Sequence, residues 1–190
     1  NYFLSVATLF LFFAYTGQAW NIMMGFAGQL SLGHALYLGV GGYSAAALYF
    51  HYGIGPWAGV WVAIIICSAL SAFLGALAFW GVDNRFKWLY FDHLSWTGGS
   101  AGLFLKVAQR DRIDLVNLRG PPAMYYYAIL ALSALALGFS AWLLRRRPGY
   151  YWQAIRENED AARALGINTV RWKIFAVIIS AAMTAVAGVF

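Results

Sequence analysis

The first 82 residues of this 190-residue chain contain no Asp, Glu, Lys or Arg; the first is Asp83. A soluble domain cannot be built on such a run. Charged residues are 11% of the whole chain, against roughly 25% in an average soluble domain. Intrinsic disorder is excluded as well, because it needs low hydrophobicity and high charge, whereas 62% of these residues are hydrophobic. One cysteine cannot make a disulfide framework, and no Gly-X-Y period supports a collagen-like chain. What is present is apolar: mean hydropathy is +0.64, and aromatic residues make up 18%. The chain is an all-α, polytopic integral membrane protein, a bundle of spanning helices.

A bilayer core of about 30 Å takes roughly 20 apolar residues as helix. Spans are expected at about Tyr2–Trp20, Trp57–Val82 and Met124–Leu144, with an apolar segment at about Leu36–Phe50 and a short last one at about Ile174–Phe190. His51, Gly53, Gly55 and Pro56 form a turn cluster between the second and third. Residues 83–123 are mixed, with ten charges and the turn-rich Thr97-Gly98-Gly99-Ser100. The start at Asn1 without Met and the end inside an apolar run are what a fragment of a longer membrane protein would show. Membrane lipid is therefore the first partner.

The net charge of +6 lies on no polar domain, so it is not a nucleic-acid footprint. Seven of the Lys and Arg residues fall in the loop 145–173, against three acids. Such an excess in a short loop marks the cytoplasmic side. The span before it then runs outside to inside, and an external loop lies at about 97–123. Arg85 and Lys87 also follow a span and also look cytoplasmic, yet no full span separates them from that external loop. Either the third span does not cross, or one transmembrane segment is lacking near residues 83–90.

Within the 145–173 loop, Pro148-Gly149 is expected to end the preceding helix. Tyr151–Leu165 suits one short helix, with Trp152, Ile155, Ala162 and Leu165 on one face and Arg156, Glu157, Glu159 and Arg163 on the others. Glu159 and Arg163 stand i,i+4 in the favourable order. Gly166 suits a left-handed C-terminal position, and Asn168 or Thr169 can cap the next helix. An ordinary solvated amphipathic helix fits the same residues.

Ala154-Ile-Arg-Glu-Asn-Glu-Asp-Ala-Ala-Arg-Ala-Leu-Gly-Ile-Asn-Thr169 resembles the cytoplasmic loop of LivM-type permeases, the membrane subunits of ABC importers for branched-chain amino acids. Gly28-Gln29-Leu30-Ser31-Leu32-Gly33-His34-Ala35 and Trp96-Thr97-Gly98-Gly99-Ser100-Ala101-Gly102-Leu103 resemble the family's early glycine-rich segment and external loop, in the same order. Asp160-Ala161-Ala162-x-x-x-Gly166 is similar to the general EAA-x-x-x-G loop of importer permeases. Ala176–Ile179 lacks the Leu-Pro that follows there, and the family's basic loop and next span are absent between Val82 and Tyr90.

The resemblance implies an ABC importer permease that moves branched-chain amino acids across the bacterial inner membrane by alternating access. The implied partners are a related permease subunit in a heterodimer, two cytoplasmic ABC ATPases and an external solute-binding protein. Trp152, Ile155, Arg156, Glu157, Glu159, Asp160, Ala161, Ala162, Arg163 and Gly166 would form the coupling loop. Close relatives import urea or amides, which is the nearest alternative; an integral-membrane enzyme and a non-functional remnant are the others. No cofactor is expected in this chain. It has no Gly-Lys-Ser/Thr, and its only lysines are Lys87, Lys106 and Lys173, so ATP-Mg would belong to the partner subunits.

Helix-breaking glycines in a membrane are tolerated only against protein or a cavity, and transporters use interrupted helices near substrate. Gln18, Asn21, Gly28, Gln29, Ser31, Gly33 and His34 are therefore candidates for an uncharged substrate pathway. Interhelical packing explains any one of them equally well. Asp92-His93 has no accompanying ligand cluster and reads as an interfacial patch. No catalytic or metal residue is assigned, and Cys67 reads as a small hydrophobe. Trp57, Trp88, Trp96, Trp142, Trp152 and Trp172 suit interfacial belts. Ser180, Thr184 and Gly188, and likewise Ala134 and Gly138, suit close helix contacts.

Overall fold

A computed structural model describes residues 2–29, 33–79, 113–114, 117–118 and 121–190. The first helix, α1, is Tyr2–Asn21; it widens into a π-helical turn, Ile22–Phe26. Helix α2 is His34–Tyr52 and α3 is Pro56–Phe79. A two-residue antiparallel pairing joins Ile113–Asp114 to Asn117–Leu118. Helix α4 is Pro122–Leu144, α5 Arg147–Glu157, α6 Glu159–Ala164 and α7 Thr169–Val189. Among the described residues, four helical stretches are long and apolar enough to cross a membrane: Tyr2–Phe26, Pro56–Ala76, Pro122–Leu144 and Thr169–Val189. The last begins five residues earlier than its apolar run, because the Asn168 side chain caps it by accepting from the Arg171 N–H at 3.0 Å.

Helix α7 is central, packed against α1, α2 and α3, while α4 packs on α1. Between apolar helices in lipid there is no hydrophobic drive, so contact depends on small residues and hydrogen bonds. The face of α7 supplies both: Ala176, Ser180, Ala181, Thr184, Ala185 and Ala187 are all buried. A Cβ on Gly41 of α2 would stand 2.8 Å from the Ala185 carbonyl oxygen and 2.9 Å from its Cα. Gly188 meets the Leu38 carbonyl and the Gly42 backbone in the same way. The Ser180–Thr184–Gly188 contact expected from the sequence therefore forms. Ala134 and Gly138 do not form theirs: both are exposed, and Ile129, Ser133, Ala136, Ser140 and Leu143 turn inward instead.

Cross-helix contacts fix the direction of each helix. Tyr15 Oη donates to the Met183 carbonyl and Ser180 Oγ to that of Ala19, so α1 and α7 are antiparallel. Gly41 and Gly42 meet Ala185 and Gly188, so α2 runs with α7. Helix α3 passes Gly59 by Ala45, Cys67 by the Tyr37 carbonyl and Gly75 by Ile174, and so runs back to the end where α7 begins. Ser133 Oγ donates to the Leu11 carbonyl, and Pro122 lies with Ser5 and Phe190, so α4 runs in the same direction as α1 and α3. Thus α3 does traverse the bundle, and α3 and α4 both end at the end carrying α5 and α6. The first explanation of the parity conflict is excluded. Arg85, Lys87, Asp92, His93, Trp88, Trp96 and most of the expected external loop lie outside the described residues.

Three local expectations change. Pro148 does not end a helix; it stands in the first turn of α5, where its missing N–H costs nothing. The single helix over Tyr151–Leu165 is two, split at Asn158, whose backbone is extended (φ −157°, ψ 106°). Trp152 is fully buried rather than interfacial, whereas Trp57 and Trp142 are exposed near helix ends. A Gly41→Leu substitution should lower the detergent-solubilised protein's Tm, at a cost of about 1–3 kcal/mol for overpacking. Gly39→Ala, where a Cβ meets nothing within 4 Å, should leave Tm unchanged in the same melt.

Candidate coupling loop and interrupted helix

The loop joining α4 to α7 has two faces. Trp152, Ile155 and Ala162 are buried against the bundle. Trp152 packs with Ile22, Ala27, Leu143 and Ala176, and its Nε1–H donates to the Trp172 carbonyl at 2.9 Å. At this wet end of the molecule burial is driven by water, and a buried aromatic of this size contributes a few kcal/mol, about 1.5–3 for a large side chain. The other face carries Glu157, Asp160, Ala161 and Leu165. Leu165 is 81% exposed, so it does not share the buried face that the helical period assigned to it. The split at Asn158 rotates α6 relative to α5 and breaks that period.

Asn158 makes the split stable. Its Oδ1 accepts from the Ala161 N–H at 3.0 Å, capping α6, and Glu159 and Asp160 put negative charge in the first turn of α6. That signature, Asn-Glu-Asp before a helix, was present in the sequence but was read as the inside of one helix. At the far end Gly166 takes φ +84°, as expected of a left-handed terminator. Its N–H reaches the Arg163 carbonyl at 2.9 Å, and that of Ile167 reaches Ala162 at 3.1 Å.

Helix α6 is pinned to α7 by charge. Glu159 accepts from Lys173 Nζ at 2.5 Å and from Arg163 at 2.8 Å, and Arg163 Nε reaches Thr169 Oγ1 at 3.3 Å. Asp160 lies 3.7 Å from Arg163 with its side chain almost fully solvated, which makes that pair worth little. The hydrogen bond from Lys173 outweighs partial burial and, with Thr169 and the charges of Lys173 and Arg163, holds the Glu159 carboxyl below its usual 4.5.

The candidate pathway residues gather around the break between α1 and α2. Gln18 and Asn21 occupy the last turns of α1, and Asn21 Oδ1 fills the space where a Cβ on Gly25 would stand. Gly28 adopts φ +66°, which lets the chain reverse beside Arg156, whose Cγ would lie 2.7 Å from a Cβ there. Arg156 itself donates from its guanidinium to the Gly25 carbonyl. Among the described residues, neither polar atom of the buried Gln29 amide has a hydrogen-bond partner. Ser31 lies outside the described residues. Gly33 precedes α2, and His34 Nε2 lies 2.6 Å from Ser180 Oγ. Since Ser180 spends its one proton on the Ala19 carbonyl at 2.6 Å, His34 Nε2 carries the proton in this bond. Sequence reasoning took Ser180 for packing alone; it is the hydrogen-bond node of the break. It stands eleven residues into α7, about 16 Å along the axis, near half the depth of a bilayer core.

Four helices long and apolar enough to cross a membrane, a break between α1 and α2, and a loop with one buried and one solvated face are the features of a multi-pass membrane protein. The chain belongs to the family of branched-chain amino acid transport system permease components, which matches residues 2–190; it is a multi-pass protein of the inner membrane. It is similar to the high-affinity branched-chain amino acid transport system permease protein LivM of Escherichia coli, with 28% identity over 214 residues covering 96% of this chain and 50% of that protein. The Salmonella typhimurium protein of the same name is 27% identical over the same shares. The chain spans about half the length of these curated relatives. No solved structure matches.

The Glu159 shift has a definite sign. A carboxylate with a depressed folded pKa stabilises above its unfolded value and loses that contribution as pH falls through the folded one. Glu159→Gln should lower Tm at neutral pH. The gap from the parent should close as pH drops below the usual glutamate range, which melts across a pH series will show.

Proposed function

We propose that this chain is the permease subunit of an ATP-driven importer of branched-chain amino acids, working by alternating access. The family supports the system, and the names of the relatives support the substrate. The single structural observation that carries the coupling half is the two-faced loop. Its buried side is bolted to α7 and to the interrupted helix. Its exposed side offers Leu165, beside solvated Asp160 and Glu157, to something outside the chain. That outer side would lie in the cytoplasm, where the seven basic residues of 145–173 place it, and an ATPase subunit is the proposed occupant. ATP-Mg would be bound there and not here. The remaining partners of the reading are a second, related permease and an external solute-binding protein.

On the substrate side, the side chains of Gln18, Asn21, Gln29, His34 and Ser180 around the break are polar and uncharged, and the one formal charge beside it is Arg156, on the Gly25 carbonyl at the loop end. Such a lining suits a zwitterion with an apolar side chain, which must be guided without being trapped. Gln29 supports this reading most, because a buried amide without partners is costly unless something visits it. A urea or amide substrate would place no demand for apolar surface beside it, and nothing in the chain favours that alternative.

Two outcomes test the proposal. Leu165→Asp should abolish co-purification of the ATPase subunits while leaving Tm unchanged, since among the described residues the side chain is 81% exposed; retained ATPase at parental stoichiometry would remove Leu165 from the contact. In proteoliposomes holding the full complex, Gln29→Ala and His34→Ala should reduce leucine uptake by roughly tenfold, the scale of one lost buried polar contact. Uptake at the parental rate in both would end the pathway assignment.

A further inference from the structure

The charges of the 145–173 loop are unevenly neutralised. On α6 and α7, Glu159 pairs with Lys173 and Arg163, and Asp160 with Arg163. Arg145, Arg146 and Arg147 stand at the join of α4 and α5. All three are exposed, and none has an acidic partner among the described residues. Adjacent like charges repel, so a patch without a counter-ion in the protein attracts one from outside.

The position of this patch is that of a lipid headgroup. Helix α4 has 23 residues, about 34 Å of helix, enough to cross the hydrocarbon core with a modest tilt. Its last residue, Leu144, stands at the edge of that core, and the three arginines follow in the headgroup layer. An exposed apolar stripe leads up to them along α4. Leu135, Phe139 and Trp142 are 69%, 39% and 51% exposed, and their spacing of four and then three puts them on one face. Phe139 and Trp142 are stacked, with ring centroids 6.1 Å apart and planes 19° from parallel. Arg146 continues the column, its Cζ 5.3 Å from the centroid of the Trp142 ring. A guanidinium stacked on an indole is held by its face, which leaves its edge N–H groups to donate.

We propose that Arg145, Arg146 and Arg147, together with Trp142, bind an anionic phospholipid in the leaflet at the loop end of the bundle. The edge of the Arg146 guanidinium donates to the phosphate, a geometry that the planar fork matches. Arg145 and Arg147 supply the surrounding positive charge, and an acyl chain lies along Trp142, Phe139 and Leu135. The apolar stripe selects a lipid over a free phosphate. The charge selects an anionic headgroup over a zwitterionic one. The site is independent of which substrate the chain carries.

The test uses the full complex in detergent, incubated with equal amounts of phosphatidylglycerol and phosphatidylcholine, with bound lipid counted by native mass spectrometry. The parent should retain phosphatidylglycerol in preference. Arg146→Ala should weaken that retention by roughly fivefold, the scale of one guanidinium near an anionic headgroup, at unchanged Tm. Arg146→Lys keeps the charge and loses the fork, and should weaken it less. Trp142→Leu keeps an apolar surface and removes the stack, and should weaken it also. Arg171→Ala removes an exposed positive charge from another helix at the same end of the bundle, and should retain lipid as the parent does. A parent without preference for phosphatidylglycerol overturns the inference. So does a loss in Arg171→Ala equal to that in Arg146→Ala, which would make the attraction diffuse. Displacement of the lipid by inorganic phosphate at the same concentration overturns it too, because the ligand would then be a free anion. Loss of a protein subunit in Arg146→Ala or Trp142→Leu does the same, because the surface would then be a protein contact.

Discussion

A backbone that leaves its helix inside a membrane must find its hydrogen bonds in protein, since lipid supplies none. The interrupted segment between α1 and α2 lives under this constraint, and much of the bundle answers it. Ser180 on α7 bonds the Ala19 carbonyl on one side and His34 on the other, joining the two halves of the break at one buried hydroxyl. Arg156 serves the Gly25 carbonyl from the far end. Helix α7 can reach the break because its face is built of alanine, serine and threonine, and because glycines on α2 let the backbones touch.

The same arrangement gives the loop two different attachments. Helix α6 is tied to the start of α7 by the Glu159–Lys173 ion pair. Helix α5 sits on the π-turn through Trp152, which packs on Ile22 and Ala27, and through Arg156, which bonds the Gly25 carbonyl. Hydrophobic burial of Trp152 keeps α5 seated at rest, and the guanidinium adds direction to that contact.

Much of this was legible residue by residue. The spans followed from apolar length, and the direction of α4 from the basic loop after it. Gly28 and Gly33 marked the break, and Gly166 marked the end of α6. The π-turn was not legible, because widening a helix by one residue over a single turn leaves no periodic signal; the Asn21 side chain occupies the space beside Gly25. The split at Asn158 was written as a capping pattern but competed with a convincing helical period. The parity of the spans exposed a conflict between α3 and α4 before any coordinates, and the helix directions removed one of its two explanations.

The sequence by itself determined the solvent of this protein and the location of its break, since hydrophobicity, charge and glycine act locally and are read where they stand. Only the tertiary structure decided what faces what: that Leu165 looks outward, that Ala134 and Gly138 are exposed among the described residues, and that Arg156 reaches across to the Gly25 carbonyl. Those outcomes depend on which helices become neighbours, and contacts between residues more than a hundred positions apart leave no mark on either local sequence.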